Sequence, residues 1–350
     1  MKAAIVVPTI REDSIISFLK AWGDQFADHL VIVVEDNPER TFDISAPNLK
    51  HFCWADIDSE LGRDSWIIPR RTDCVRSFGY YKAYASEVDM IVTLDDDCYP
   101  ERHEFLLQHY EKLNHPARES AWVPTGRGPF PRGMPYHNLN RASECVLNHG
   151  LWNRVPDFDA ITQLANERFS QAFEPLDQVV PKGAFFPMCG MNLAFKPELT
   201  PAMYFLLMGK DRPFDRFGDI WCGVFLKKIC DHLGFAIRSG APRIEHQRAS
   251  NVWMNLRKEF PGYEVNETLW QAVDSIVLTK STVRECYRDL AEKLPLTGEY
   301  WDPLRLAMNI WAGLFPQVEV EGTNLRSTGQ LYSETSRNEQ MDALRRSGSR

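Results

Sequence analysis

The stretch Met90-Ile91-Val92-Thr93-Leu94-Asp95-Asp96-Asp97-Cys98-Tyr99 constrains this chain more than any other. An apolar and β-branched run, too short for a free-standing helix, ends abruptly in three consecutive carboxylates. In open α/β sheets, ligands bind at the carboxyl ends of the strands, so acids placed there face a crevice rather than a core. Two carboxylates one residue apart on an extended chain point the same way and can share a hard divalent cation, which can in turn hold a diphosphate. The competing reading is an acidic turn leaving a strand.

Other strands feed the same rim. Ala3 to Val7 reads as a buried strand ended by Pro8-Thr9, and Ser14 to about Phe26 carries Ile15, Phe18, Leu19 and Trp22 at helical spacing. Leu30 to Val34 is a second apolar run ending in Glu35-Asp36, before the turn pair Asn37-Pro38. A β-α-β start of this kind calls for a parallel sheet with a right-handed crossover. A third strand is expected over Phe52 to Ala55, and a helix over Arg70 to Ala85 bearing Arg70, Arg71, Arg76 and Lys82. This arrangement gathers Thr9, Arg11, Asp36 and Asp95 to Asp97 around one crevice, as a nucleotide-binding α/β domain requires.

Gly126 and Gly128 resemble half a dinucleotide fingerprint, but Pro131 stands where the third glycine belongs. No Walker loop occurs. No flavin or nicotinamide is therefore expected, and nucleotide phosphates must be neutralised by metal and basic side chains. The formal net charge of −8 suggests no strongly basic face for nucleic acid. None of the 8 cysteines forms a C-x-x-C pair, which points to reduced thiols and a cytoplasmic protein. The Ala3–Val7 run is too short for a secretory core, and no later stretch approaches a membrane span.

Beyond the triplet, Thr125 to Tyr136 reads as a long Gly- and Pro-rich loop. A helix is expected from Arg216-Phe217-Gly218-Asp219 through Leu233 with Gly234 as C-cap. Further helices are expected over roughly 266–280, 281–294 and 300–314. From about Gly322 the chain is polar and mixed in charge, and is expected to be disordered or marginally helical. At 350 residues, one elaborate domain or two can be built.

Several motifs together resemble one family, the plant reversibly glycosylated polypeptides, also known as UDP-arabinopyranose mutases. They are Val7-Pro8-Thr9-Ile10-Arg11-Glu12, Leu94-Asp95-Asp96-Asp97-Cys98, His149-Gly150-Leu151-Trp152, Pro156-Asp157-Phe158-Asp159-Ala160 and Phe186-Pro187-Met188-Cys189-Gly190-Met191-Asn192. The resemblance covers roughly residues 3–315. It implies an α/β fold of the GT-A nucleotide-sugar-binding type, a mainly parallel sheet flanked by helices, with a C-terminal helical extension. The expected division is 1–260 for the catalytic domain, 261–320 for the extension and 321–350 for the tail.

The family resemblance also implies interconversion of UDP-L-arabinopyranose and UDP-L-arabinofuranose, dependence on a divalent metal, self-glycosylation on arginine, and homo-oligomers. The family's arginine in an Arg-Gly-x-Pro setting is matched by Arg132-Gly133-Met134-Pro135, and a second family arginine corresponds to Arg141.

Asp95 and Asp97 are assigned to the metal, with His246, after a late strand, as a further ligand or a structural residue. An imidazole there favours Mn²⁺ over Mg²⁺. Pro8, Thr9, Arg11, Asp36 and Arg71 are assigned to the nucleotide; for Arg71 a solvent-facing position on its helix is the alternative. Arg132 is either the glycosylated residue or a phosphate clamp. Asp96, Asp157 and Asp219 complete the catalytic set, Asp219 as a helix cap or a contact to sugar hydroxyls. A glycosyltransferase acting on itself or another acceptor, and a non-catalytic UDP-sugar-binding subunit, are the rival functions.

Overall fold

The computed structural model describes residues 1–123, 132–137, 139–165, 176–247 and 250–316. The apolar runs form strands as their composition requires. β1 (Ala3–Thr9), α1 (Glu12–Phe26) and β2 (Leu30–Glu35) make the β-α-β start, followed by β3 (Leu49–Phe52), α2 (Trp54–Leu61), α3 (Arg76–Tyr84) and β4 (Met90–Leu94). All seven residues of β1 and all five of β4 are buried, the signature of strands covered on both faces. The order β3-β2-β1-β4 is parallel throughout.

Beyond β4 the sheet becomes mixed. β5 (Cys98–Pro100) and α4 (Phe105–Asn114) follow the acid triplet; β6 (Ala117–Ser120) and β7 (Asn140–Ser143) pair with each other in a small separate sheet. β8 (Cys145–Arg154), α5 (Ala160–Ala165), β9 (Gln178–Val179), β10 (Asn192–Phe195), α6 (Gly218–Leu233) and β11 (Ala236–His246) come next. β10 lies antiparallel between β4 and β8, and β11 runs parallel to β8. β5 and β9 both pair antiparallel with β11. The α/β architecture is the one expected; its parallel character is strongest in the first half.

Alternation along β1 separates two cores. Ala3, Ile5 and Val7 pack with Ile15, Phe18 and Trp22 of α1 and Phe105 of α4. Ala4 and Val6 face the other side, where α3 and α6 pack together with α8 (Val283–Lys293) and α9 (Trp301–Gly313). α3 approaches β1 and β2 so closely that a Cβ added to Gly79 would stand 2.4 Å from Val6 Cγ1.

α7 (Val252–Asp274) runs unbroken through residues 260 and 261, and residues Met1–Pro316 form one compact unit. The expected tail 321–350 lies outside the described residues, as does most of the loop Thr125–Tyr136. Among the described residues, no helix is long and apolar enough to cross a membrane.

Candidate active site

At the ends of β1, β2 and β4 the chain opens into a cavity of about 580 Å³. Pro8, Thr9, Arg11, Asp36, Arg71, Asp95, Asp96, Asp97, Asp157 and His246 all line it. The parallel register explains the convergence, because Thr9 is level with Glu35 and the strands end at one rim.

The acid triplet is held from several sides. The Cys98 N–H donates to the Asp95 carbonyl at 3.1 Å, closing a turn. Trp22, stacked on Phe26 with ring centroids 4.8 Å apart, donates its indole N–H to the Cys98 carbonyl at 2.9 Å. Cys98 is also paired with His246 across β5 and β11, and the Gln247 N–H donates to the Asp97 carbonyl at 2.9 Å.

The three carboxylates have different surroundings. Asp96 accepts from the Thr9 hydroxyl at 2.6 Å and from the Arg11 guanidinium; burial still pushes its carboxyl above the usual range. Asp95 pairs with Arg76 at 2.5 Å, and that arginine, 1% exposed, also donates to Thr93 and to the Gly190 carbonyl. Asp97 faces His246, with Oδ1 3.8 Å from Nε2, and Arg11 at 3.5 Å.

His246 Nδ1 lies 2.7 Å from the Val155 carbonyl oxygen, which can only accept. Nδ1 therefore donates to that carbonyl, which leaves Nε2, turned toward Asp97, as the nitrogen open to a metal. Among the described residues, no group of three or more His, Cys, Asp and Glu is gathered to hold a metal ion. Asp97 and His246 could hold a divalent cation between them, whereas Asp95 is engaged by Arg76.

At the opposite end, Asp36 organises a wall. Its carboxylate accepts from Trp54 Nε1 at 2.7 Å and from the Arg71 and Thr72 N–H groups at 2.9 and 2.8 Å. Arg71 has φ of 59°, a left-handed backbone that turns two successive N–H groups toward one acid. Burial raises the Asp36 carboxyl against these donors. Its lone pairs are thus largely engaged by the protein, and the flat Trp54 ring, with the Arg71 guanidinium 6.0 Å from its centre, lines the cavity beside it.

A second cavity, of about 710 Å³, shares Thr72, Asp73, Arg76, Asp95, Asp157 and Arg216 with the first. Asp219, in the first turn of α6, lines this one. Its Oδ2 accepts from the Gly190 N–H at 2.9 Å, and removal from water, then the like charges of Asp73 and Asp157, push its carboxyl up to about 7. Burial likewise raises Asp157.

Arg132 is exposed and lines neither cavity, standing beside residues 124–131 that lie outside the described set. Conversely, Trp54, Arg76, Arg216 and Lys258 line the site without having been singled out for it. Only Arg76 carried a legible signal, as a cation on the helix feeding the acid-tipped strand.

Relatives over most of the chain give this geometry its context. "UDP-arabinopyranose mutase 1" of Arabidopsis thaliana is 38% identical over 331 residues, covering 88% of this chain and 90% of that protein. "Probable UDP-arabinopyranose mutase 1" of Pisum sativum is 36% identical over 339 residues, 90% of each. Among solved structures, glucosyl-3-phosphoglycerate synthase from Mycobacterium tuberculosis, in complex with Mn²⁺, uridine-diphosphate and phosphoglyceric acid, is a distant match. It aligns over 85% of this chain and 80% of that one, with 15% identity and a TM-score of 0.41. The model of the family described as reversibly glycosylated polypeptide matches residues 2–319, and with relatives of that identity along nine-tenths of its length the chain belongs to this family.

Proposed function

We propose that this protein is a metal-dependent UDP-arabinopyranose mutase, interconverting UDP-L-arabinopyranose and UDP-L-arabinofuranose. The observation that carries the reading is the pair of cavities with shared walls. One runs from Trp54 and Asp36 to Asp97 and His246, and the other holds Asp157 and Asp219. A mutase must break the anomeric bond to UDP, reclose the sugar through O4 instead of O5, and return it to the same UDP. Both products must therefore stay in one enclosure.

In this reading Pro8, Thr9, Arg11, Asp36 and Arg71 surround the nucleotide, with the base against Trp54. Asp97 and His246 hold a divalent metal, Mn²⁺ in preference to Mg²⁺ because of the imidazole, with Asp95 beside them. Bound there, the metal stabilises the charge on departing UDP as a Lewis acid. Asp96 keeps Arg11 and Thr9 in place. Asp219, poised near neutrality, takes the proton from O4 as O4 closes on C1 and delivers it to O5 as the C1–O5 bond opens, with Asp157 beside it. The protein is proposed to work in the cytoplasm as a homo-oligomer.

Incubating the pure protein with Mn²⁺ and UDP-arabinofuranose and separating the products tests the proposal. The pyranose form is expected, and its formation should cease when EDTA removes the metal. No pyranose at high enzyme concentration would sink it, leaving a non-catalytic UDP-sugar-binding subunit as the reading to pursue. The exposure of Arg132 favours a second activity, glycosylation of that side chain from a UDP-sugar. Intact-protein mass spectrometry after exposure to UDP-glucose should show a hexose increment that Arg132→Ala abolishes.

A further inference from the structure

Five cationic side chains line the first cavity, and four of them are paired with carboxylates. Arg11 is held by Asp96 and Asp97, Arg76 by Asp95, and Lys258 by Asp215 at 3.1 Å. Arg216 is paired with Glu259 through its Nε alone, which leaves Arg71. Arg71 lies at the Asp36–Trp54 end and lines only the first cavity, whereas Arg216 lines both.

The surroundings of Arg216 are built for this position. Its Nε donates to Glu259 Oε1 at 2.9 Å, while among the described residues its two Nη groups make no hydrogen bond. Glu259 is buried and held by the Tyr263 hydroxyl at 2.7 Å and the Ala160 N–H at 2.8 Å, so α5 and α7 together fix the carboxylate that orients the arginine. Arg216 itself has φ of 65°, a left-handed backbone that a bulky residue adopts only when its surroundings demand it. Glu259 and the nearby Asp157 keep the guanidinium protonated, raising its pKa despite burial. It is therefore a charged donor with its Nη edge open, not a nucleophile.

We propose that Arg216 receives the β-phosphate of the nucleotide sugar at the boundary between the two cavities, with Glu259 as its positioning residue. This rests on the nucleotide-sugar reading above. A nucleotide with its base at Trp54 and its diphosphate near Asp97 and His246 brings the bond between β-phosphate and sugar to the shared wall. The free Nη edge of Arg216 there offers two parallel N–H groups to phosphate oxygens. Nothing in this assignment involves the base or the α-phosphate.

Calorimetric titration of the full chain in Mn²⁺ with UDP and with UMP separates the possibilities. Arg216→Ala should weaken UDP by about tenfold or more while leaving UMP within about twofold, since a charged hydrogen bond is lost only where the β-phosphate is present. Arg216→Lys, which keeps a cation and guards against loss of fold, should fall between. Glu259→Gln should weaken UDP in the same selective direction. Equal losses for UDP and UMP, or unchanged UDP affinity, would overturn the assignment. A wild-type chain that binds neither overturns the nucleotide-sugar reading itself, and the Arg216 assignment with it.

Discussion

Asp219 illustrates how much of this site is set by what surrounds a side chain rather than by its type. Two N–H groups, those of Gly190 and Ile220, stabilise its charged form, yet burial and the charges of Asp73 and Asp157 outweigh them and push it up to about 7. The folded chain then holds a proton that the unfolded chain has already released between about pH 4 and pH 7. Stability should therefore fall as pH rises through that window and level off above it. Asp219→Asn removes this contribution. In urea unfolding, the wild type should lose stability relative to the variant from about pH 5 to about pH 7, with little further change by about pH 8; a difference independent of pH would refute the raised value. The rim residues Thr9, Asp36 and Asp97 were legible in the sequence because parallel strands must end together. The pairing of Asp95 with Arg76 was not, since it depends on where α3 settles against the sheet. Arg216 was equally silent, because its meaning comes from Glu259 on a helix still to follow.

At the scale of elements, tertiary contacts moved the boundaries that local pattern suggested. The helix expected from Arg70 begins only at Arg76, because Asp36 captures the N–H groups of Arg71 and Thr72 and holds that segment out of helical conformation. The strand expected over Phe52 to Ala55 stops at Phe52. Asp56 accepts the Cys53 N–H at 2.8 Å and starts α2 there, a capping acid visible in the sequence but outweighed by the apolar run. The start of α6 was read correctly, and its position is set by Gly218. A Cβ there would stand 2.6 Å from both Cys74 Sγ and the Phe205 carbonyl oxygen, and the latter is backbone that cannot swing aside. Gly218→Ala should thus cost about 1–3 kcal/mol in denaturant unfolding and weaken activity by displacing Asp219 next to it. Full stability in that variant would show that α6 can shift without consequence.

Across the whole molecule, the C-terminal helices are part of the main core. Trp311 of α9 stacks on Tyr204 at 5.4 Å, and Phe315, 2% exposed, meets the edge of Tyr84 at 5.0 Å on α3. α7 passes unbroken through residue 260 and packs on α5 and α6. Phe315→Ala should destabilise the entire unit by about 3–5 kcal/mol in a single cooperative transition. A separate early transition would mean that the C-terminal helices melt on their own. The β5–β11 pairing adds a consequence for how the protein comes into being. His246 meets Cys98 only after β8, β10 and α6 have been made and placed, so the crevice formed by β1, β2 and β4 stays half-finished through most of synthesis. A nascent chain can bury its first strands early, yet the proposed nucleotide site stays incomplete until the ribosome has passed β11. Ligand therefore cannot guide the early steps of folding; it can only reward the chain that has already completed them.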